Sequence, residues 1–342
     1  MKSLRIGSVL ISNNRKPITI AEAAVEHLGS LNVAKRMVES AKASGADIIK
    51  FQMHLQDEEM LKNKIKFWGG SLDSILDKYN LTIEDHKQLI EYCKKIKIQY
   101  LCTPFSPKAV MVLDKLGVQG FKTGSGEMTN LEILNEIAKT RKPLILSTGM
   151  SNEDEIDEIC NYLNSLNVNF AIMNCTSIYP CPYNKVNLGY ISKLKEKTKK
   201  IIGHSDHTPD IYSSFGAVAN GAKIIEKHFT LNRNLKGPDY QVSLEPHEFK
   251  EMVNGIYKIY LASGNKKKLH KDEKIVQSWA RHSVVAISGI KKNQTLKKKY
   301  LTVKRPGTGI PAKYINELIK YKAKKNIKSN SIIFWSNLIK KK

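Results

Sequence analysis

Two lysines, two histidines and two glutamates stand at matching places in this 342-residue chain, each at or just beyond the end of a short apolar run. Glu22 follows Ile18-Thr19-Ile20-Ala21, Lys50 and Gln52 follow Ile48-Ile49, Thr103 ends Ile98-Gln99-Tyr100-Leu101-Cys102, and Lys122, Ser125 and Glu127 follow Gly120-Phe121. Ser147-Thr148, Thr176-Ser177, Ser205-Asp206-His207 and Glu226-Lys227-His228 continue the series. The ammonium groups of Lys50 and Lys122, with the hydroxyls of Thr103, Ser125 and Ser205, suit a phosphate and a carboxylate, so the ligand they fit is a small polyanion. His207 and His228 can converge on one divalent cation, leaving positions for water and a substrate oxygen, and such an ion polarises a carbonyl. Glu22 and Glu127 suit proton transfer or hydroxyl binding. A lone strand-end histidine is more often a hydrogen-bonded structural group, and the residues alone leave both readings open for this pair. Two lysines among carboxylates and histidines at one depth favour a site over unpaired interior charges.

The segments that must position these groups alternate between short Ile/Val/Leu-rich runs and amphipathic stretches of helical period, the pattern of a parallel sheet wrapped by helices. Strands are expected at about 18–22, 47–52, 98–104, 120–124, 143–148, 169–176, 200–205 and 223–229. Thr82-x-x-Asp85, Thr129-x-x-Glu132 and Ser151-x-x-Asp154 fit capping boxes, and Ser106-Pro107 fits an N-cap with proline at N1. Gly45, Gly117 and Gly221 precede strands where a left-handed C-cap is wanted. Eight such units close most simply into a (β/α)8 TIM barrel, whose catalytic groups lie at the C-terminal ends of the strands.

The rest of the composition bounds the reading. A barrel of about 250 residues leaves room for a second, smaller domain. A helix near 246–263 closes the barrel, a polar linker spans 264–282, and strand-like Ser283-Val284-Val285-Ala286-Ile287 opens a unit over 283–342. From Lys274 to Lys342 eighteen basic residues meet one acidic residue, Glu317, so this tail carries +17 of the chain's +24. Only seven of the 56 basic residues are arginine, so lysine excess is partly general composition, and no nucleic-acid partner is expected. No apolar run nears the roughly 20 residues that span a bilayer, and Ser12-Asn13-Asn14-Arg15-Lys16 interrupts any signal-peptide core. A cytoplasmic protein without a membrane partner is expected. The five cysteines are odd in number and lack a Cys-x-x-Cys pair; Cys102 and Cys175, in apolar runs, read as small hydrophobes.

Ten strings in chain order carry a resemblance: Ile20-Ala21-Glu22, Ile49-Lys50-Phe51-Gln52, Thr103-Pro104-Phe105-Ser106, Lys122-Thr123-Gly124-Ser125-Gly126-Glu127, Leu146-Ser147-Thr148-Gly149-Met150, Cys175-Thr176-Ser177-Ile178-Tyr179-Pro180, Ser205-Asp206-His207-Thr208, Glu226-Lys227-His228-Phe229, Gly237-Pro238-Asp239 and Val303-Lys304-Arg305-Pro306-Gly307-Thr308-Gly309. Together they resemble the sialic acid synthase family, the last string its C-terminal antifreeze-like (SAF-type) domain. The resemblance implies condensation of phosphoenolpyruvate with an N-acetylated mannosamine-type aldose to a nine-carbon acid. It implies that Lys50, Thr103, Lys122, Ser125, Ser177 and Ser205 hold phosphoenolpyruvate, that Glu22 and Glu127 serve catalysis, and that His207 and His228 bind Mn2+ or a similar ion such as Mg2+ or Co2+. It places Gln52, Tyr179, Asp239 and Arg305 at the sugar, with Arg305 reaching in from the partner subunit of a domain-swapped homodimer. No organic cofactor is implied.

The chain departs from the family's Asn-His-Asn-Gly with Glu26-His27-Leu28-Gly29, and Ser177 replaces an asparagine of some neuraminate synthases. Residues 54–80 form an insertion in which Trp68-Gly69-Gly70 reads as a lid or a structural turn. Gly237-Pro238-Asp239 and Ser243-Leu244-Glu245-Pro246 also resemble legionaminic acid synthases, whose substrate is a 6-deoxy diacetamido sugar. Two other classes compete. A sugar- or nucleic-acid-binding protein accounts for the basic tail but not for the paired lysines, carboxylates and histidines. Another phosphoenolpyruvate-using barrel synthase is closer, as is a pyruvate aldolase that would use Lys122 as a Schiff-base nucleophile.

Overall fold

Along each apolar run, alternate side chains enter two different packed sets. The computed structural model describes residues 3–62, 66, 67 and 70–341. In it, Ile18, Ile20, Ile48, Leu101, Ile145, Ala171, Met173 and Ile224 form one buried cluster. The intervening Ala21, Ile49, Phe51, Cys102, Phe121, Leu146, Ile172 and Ile225 pack in another, with helix residues. The period of two identifies strands buried on both faces, the first set being the interior of a barrel and the second its outer layer.

The strands are β1 (Ile18–Ala24), β2 (Ile48–Met53), β3 (Gln99–Pro104), β4 (Phe121–Lys122), β5 (Leu144–Ser147), β6 (Phe170–Cys175), β7 (Ile202–Asp206) and β8 (Ile224–His228). All ladders among them are parallel, in the order β3-β2-β1-β8-β7-β6-β5-β4. Strands β3 and β4 lie side by side without ladder bonds, so the barrel is nearly closed. An antiparallel hairpin of Ser3–Ile6 and Val9–Ser12 sends Leu4, Ile6 and Ile11 into the interior cluster and plugs its N-terminal end. Each such Ile or Leu contributes roughly 1.5–3 kcal/mol by burial. A Cβ on Gly203 would lie 2.2 Å from Met173 Sδ, so β7 needs glycine at this inward position.

Eight helices form the outer layer: α1 (Leu31–Ala43), α2 (Ile83–Ile96), α3 (Pro107–Lys115), α4 (Leu131–Thr140), α5 (Glu153–Ser165), α6 (Gly189–Thr198), α7 (Tyr212–Ala219) and α8 (Pro246–Ala262). Helix α1 buries Ala34, Met37, Val38 and Ala41, an i, i+3, i+4, i+7 stripe. The Thr82–Asp85 box and the Ser106 cap with Pro107 occur as expected. Two other caps fall one residue later than expected. Asn130, not Thr129, caps α4, and Asn152 with Glu155, not Ser151 with Asp154, forms the box of α5. Both alternatives satisfy the local pattern; the register that buries Ile133, Leu134 and Ile137, and Ile156, Ile159 and Leu163, selects between them. Gly45, Gly117 and Gly221 have φ of +90°, +80° and +96°, the left-handed conformation expected of them.

The insertion after β2 carries short helices at Gln56–Glu59 and Leu72–Tyr79. Trp68 and Gly69 of the expected lid or turn lie outside the described residues. Among the described residues no helix is long and apolar enough to cross a membrane.

The chain forms two compact units, Met1–Gly264 and Asn265–Lys342. The segment read as a linker is not wholly irregular, for it contains helix α9 (Glu273–Ala280). In the second unit β9 (Ser283–Ala286) pairs antiparallel with β10 (Leu301–Lys304) and with Ser331–Ile332. Val284, Ala286, Ile290, Leu296, Ile310, Leu318 and Ile333 are among its own core.

Candidate active site

Above the last apolar layer of the barrel interior, the same inward positions turn polar. Continuing Ile20, Ile48, Leu101, Ile145, Met173, Gly203 and Ile224 by two residues gives Glu22, Lys50, Thr103, Ser147, Cys175, Ser205 and Glu226. The ladder sets Glu22 opposite Lys50 and His228, and Ser205 opposite Glu226 and Cys175. These residues open onto a cavity of about 870 Å³. Every candidate residue named from the sequence lines it except Arg305. Arg305 belongs to the second unit, where its Nε donates to the Ala280 carbonyl at 3.1 Å and its guanidinium lies 6.0 Å from the Trp279 ring centroid.

Four buried charges form the floor. Lys50 pairs with Glu22 and lies 3.5 Å from Glu226, while Lys122 lies 3.3 Å from Glu226. Lys50 also donates to Thr103 Oγ1 at 3.1 Å, and Ser205 donates to Glu226 Oε1 at 3.1 Å. Burial raises Glu226, but Lys122 and Lys50 overcome it and hold the carboxyl down at about 2. Glu22, with Lys50 shared between two carboxylates, is pushed up by burial, with Glu226 adding to the push. Burial would lower Lys50, yet Glu22 and Glu226 carry it above the ordinary lysine range. Burial is the largest influence on Lys122 and lowers it, with Glu226 opposing, so the floor sets two lysines against two acid groups that an incoming anion can displace. Glu226 was not among the candidates read from the sequence; its signal was its place two residues before His228 on one inward face.

Hydroxyls extend the floor along one wall. Ser125 Oγ lies 3.0 Å from Ser147 Oγ and accepts from Ser177 Oγ at 3.0 Å. A Cβ on Gly149 would come within 2.2 Å of Ser177 Oγ and 2.4 Å of Ser125 Oγ, so the backbone itself makes room for this cluster. Likewise a Cβ on Gly124 would meet Glu127 Oε2 at 2.2 Å. That oxygen is buried without a hydrogen bond, and burial first, then Glu59, raises the Glu127 carboxyl to about 7. Glu127 thus exchanges a proton near neutrality.

The histidines stand across the mouth, ring centroids 5.4 Å apart, with the Tyr179 ring 4.1 Å from that of His207 at a 30° tilt and edge-on to His228. His207 donates Nδ1–H to the Thr176 carbonyl at 2.8 Å, which leaves Nε2 as its free nitrogen. His228 Nδ1 is buried without a hydrogen-bond partner and lies 3.5 Å from Asp239 Oδ2. Burial, and then His207, hold His228 well below the ordinary histidine range, so it is a neutral nitrogen donor. No cluster of three or more His, Cys, Asp or Glu donors able to hold a metal occurs among the described residues. What is present is an open pair with an orphaned nitrogen, which fits a cation that takes its remaining ligands from water and substrate.

Cys175 differs from its reading as a small hydrophobe. It faces the cavity 4.0 Å from His207 Nδ1 and 3.6 Å from Ser125 Oγ. Burial would raise its thiol, but His207 and Lys122 draw it down to about 6. Cys102, on the outer face of β3, matches that reading, with burial raising its thiol to about 12. Glu26, one of the departures from the resembled pattern, accepts from Asp239 N–H at 2.7 Å and so ties the loop carrying Asp239 to β1. A Cβ on Gly237 would meet the Glu26 carboxylate at 2.5 Å.

A parallel barrel with paired lysines, acid groups and a histidine pair at the C-terminal ends of its strands has the layout of a barrel enzyme. Comparison with known proteins makes the class specific. A NeuB family profile matches residues 37–268 and a SAF domain profile residues 281–339. The chain is 41% identical over 332 residues to N,N'-diacetyllegionaminic acid synthase of Campylobacter jejuni, covering 93% of this chain and 99% of the relative. It is 34% identical over 333 residues to the enzyme of the same name from Legionella pneumophila, covering 93% and 94%. The crystal structure of N-acetylneuraminic acid (sialic acid) synthetase from Leptospira borgpetersenii superposes with a TM-score of 0.75 at 30% identity, covering 80% of this chain and 95% of that one. The chain belongs to the NeuB family.

Proposed function

We propose that this enzyme is a sialic-acid-type nonulosonate synthase, which joins phosphoenolpyruvate to an N-acetylated mannosamine-type aldose with addition of water and release of phosphate. The observation that carries the reading is the floor of Lys50 and Lys122 beneath a hydroxyl wall, in a chain whose relatives make nine-carbon sugar acids. Lys50, Lys122, Thr103, Ser125, Ser177 and Ser205 bind the phosphate and carboxylate and turn C3 of the enol towards the sugar. That carbon attacks the open-chain aldehyde, water adds at C2 of the resulting cation, and phosphate leaves by C–O cleavage. Glu127 supplies a proton to the aldehyde oxygen, and Glu22 takes one from the water. His207 and His228 would hold a divalent cation, Mn2+ or a similar ion, whose chemistry when bound is polarisation of a carbonyl oxygen. Lys122 held against Glu226 serves as an anion-binding cation rather than as a Schiff-base nucleophile.

Gln52, Tyr179 and Asp239 face the sugar, and Arg305 completes the pocket of the partner in a domain-swapped homodimer. Of the candidate sugars we favour the 6-deoxy diacetamido mannose, on the names of the two relatives and the Gly237–Asp239 and Ser243–Pro246 strings. The reaction takes place in the cytoplasm.

Purified protein is incubated with phosphoenolpyruvate and Mn2+ and offered N-acetylmannosamine or the 2,4-diacetamido-6-deoxy mannose analogue. Phosphate release is expected with both and at least about tenfold faster with the second. Release with neither overturns the reading. Chelation should abolish turnover, and borohydride with pyruvate should leave Lys122 unmodified. For the dimer, Glu127→Gln mixed with Arg305→Ala should regain activity through a heterodimer with one intact site; a mixture that exchanges subunits yet stays inactive rules out the shared site.

A further inference from the structure

Immediately after Gln52, the chain builds a buried relay. His54 and Glu59 side chains are 8% and 4% exposed, and His54 Nδ1 lies 2.8 Å from Glu59 Oε1. On the other side of the ring, His54 Nε2 lies 3.1 Å from Gln52 Oε1. Oxygen atoms thus flank both ring nitrogens, the Glu59 carboxylate on one side and the Gln52 amide carbonyl on the other. Three further contacts fix the ring. Phe105 stacks on it at 4.2 Å and 16°, Asn80 Nδ2 donates to the His54 carbonyl at 2.8 Å, and Leu55 N–H donates to Glu59 Oε2 at 3.2 Å. Gln52 and Phe105 both line the cavity; Glu59 and Asn80 come from the insertion.

The consequence lies in the orientation of one amide. A glutamine in an open cavity can turn either its carbonyl or its NH2 towards a ligand, at little cost. Here the carbonyl is taken by His54, and the NH2 of Gln52 donates to no group among the described residues. We infer that His54, held by Glu59, is a positioning residue that presents the Gln52 amide N–H to the sugar as a fixed donor, so that the insertion after β2 selects for a sugar oxygen acceptor such as an acetamido carbonyl. This rests on the proposed synthase reading. His54 acts on binding of the sugar and, through Gln52 alone, on nothing in the phosphoenolpyruvate half of the site.

The test is a double-mutant cycle read by steady-state phosphate release, with each substrate varied in turn. His54→Ala and Gln52→Ala should each raise the KM for the diacetamido sugar about 5–10-fold, the worth of one oriented hydrogen bond, with the KM for phosphoenolpyruvate unchanged within about twofold. In the Gln52→Ala background, adding His54→Ala should change the sugar KM by less than about twofold. Glu59→Ala should raise the sugar KM in the same direction, and Glu59→Gln, which keeps an oxygen acceptor at Nδ1, should recover most of that rise; both variants remove the charge that raises Glu127, so any change in kcat from that source is common to the two. Binding of phosphoenolpyruvate alone reports that each variant retains the barrel. If His54→Ala does not fold, the Glu59 pair decides. Multiplying effects in the double variant, equal rises in both KM values, or failure of Glu59→Gln to recover what Glu59→Ala loses overturns the relay. A wild-type chain that releases no phosphate with either sugar overturns the synthase reading instead.

Discussion

Strands β7 and β8 carry two buried ion-pair systems back to back, and they are built to opposite standards. Outward, Asp206 and Lys227 lie 3.3 Å apart with both side chains fully buried. Asp206 Oδ1 accepts from Thr208 N and Oγ1, each at 2.8 Å, and Oδ2 accepts from Ser214 Oγ at 2.7 Å, while Lys227 also donates to the Thr208 carbonyl. Inward, one residue away on each strand, Ser205 and Glu226 join Lys50, Lys122 and Glu22, and Glu226 Oε2 is buried without a hydrogen-bond donor among the described residues. A buried polar network with every lone pair used fixes structure; one with lone pairs left over is waiting for a ligand. The contrast separates function from architecture without any reference to relatives.

Breaking the inner system should cost activity above all. Lys122→Met removes one of two cations under the phosphate and carboxylate, each making charge-assisted bonds worth roughly 1.5–3 kcal/mol. We expect kcat/KM for phosphoenolpyruvate to fall about 10³–10⁴-fold, or ~4–5.5 kcal/mol. The urea midpoint, followed by circular dichroism, should move little, because Glu226 keeps Lys50 and Ser205. A large loss of stability with ordinary activity in the folded fraction would reverse the assignment of the two faces.

Breaking the outer system should do the converse. Asp206→Asn leaves Lys227 buried against a neutral amide, and loss of one partner of such a pair costs about 3–5 kcal/mol. Burial raises Asp206, yet Lys227 first and His204 next hold it far below the usual carboxylate range, so its contribution is present above the unfolded value near 4 and lost as the pH falls through the folded one. Rates per folded molecule should stay within about threefold, measured by active-site titration after urea has set the folded fraction.

How far the sequence discloses these two faces depends on what sets each residue. The eight strands and the capping of α2 and α3 are legible because period and cap chemistry are local, and counting inward positions by twos places Lys50, Thr103, Lys122 and Ser205 at one level. The same count marks Glu226, which stands in the strand-end polar series without a role assigned to it, and Cys175, which reads as a small hydrophobe because its run is apolar. Thr129 and Ser151 mislead because Asn130 and Asn152 beside them are equally good caps, and only tertiary packing of the apolar face chooses. His54 and Glu59 follow no period at all. Their pairing depends on how the insertion turns back on β2, which is long-range geometry that composition does not encode.

Glu26 lies between the two standards, and its replacement should give the smallest of these effects. It is buried and accepts from Asp239 N–H, yet burial, its largest influence, raises its carboxyl to about 7, with Asp239 adding to the rise. The sign follows from proton counts. Between the unfolded value near 4.5 and the folded value of about 7, the native state binds the extra proton, so Glu26 makes the protein less stable as the pH rises through that window and imposes a constant penalty above it. Glu26→Gln keeps an acceptor for Asp239 N–H and has nothing to titrate. Its stability relative to wild type should therefore improve between pH 5 and pH 7 by about 1–2 kcal/mol and then level off, as read from urea midpoints. Glu127, raised to about 7, and Asp239, raised to about 6, act in the same direction, so the wild-type slope should shrink without vanishing. An unaltered slope would mean that the carboxylate stays solvated in the folded chain, and that the bond to Asp239 N–H, rather than a buried proton, holds the Gly237–Asp239 loop in place.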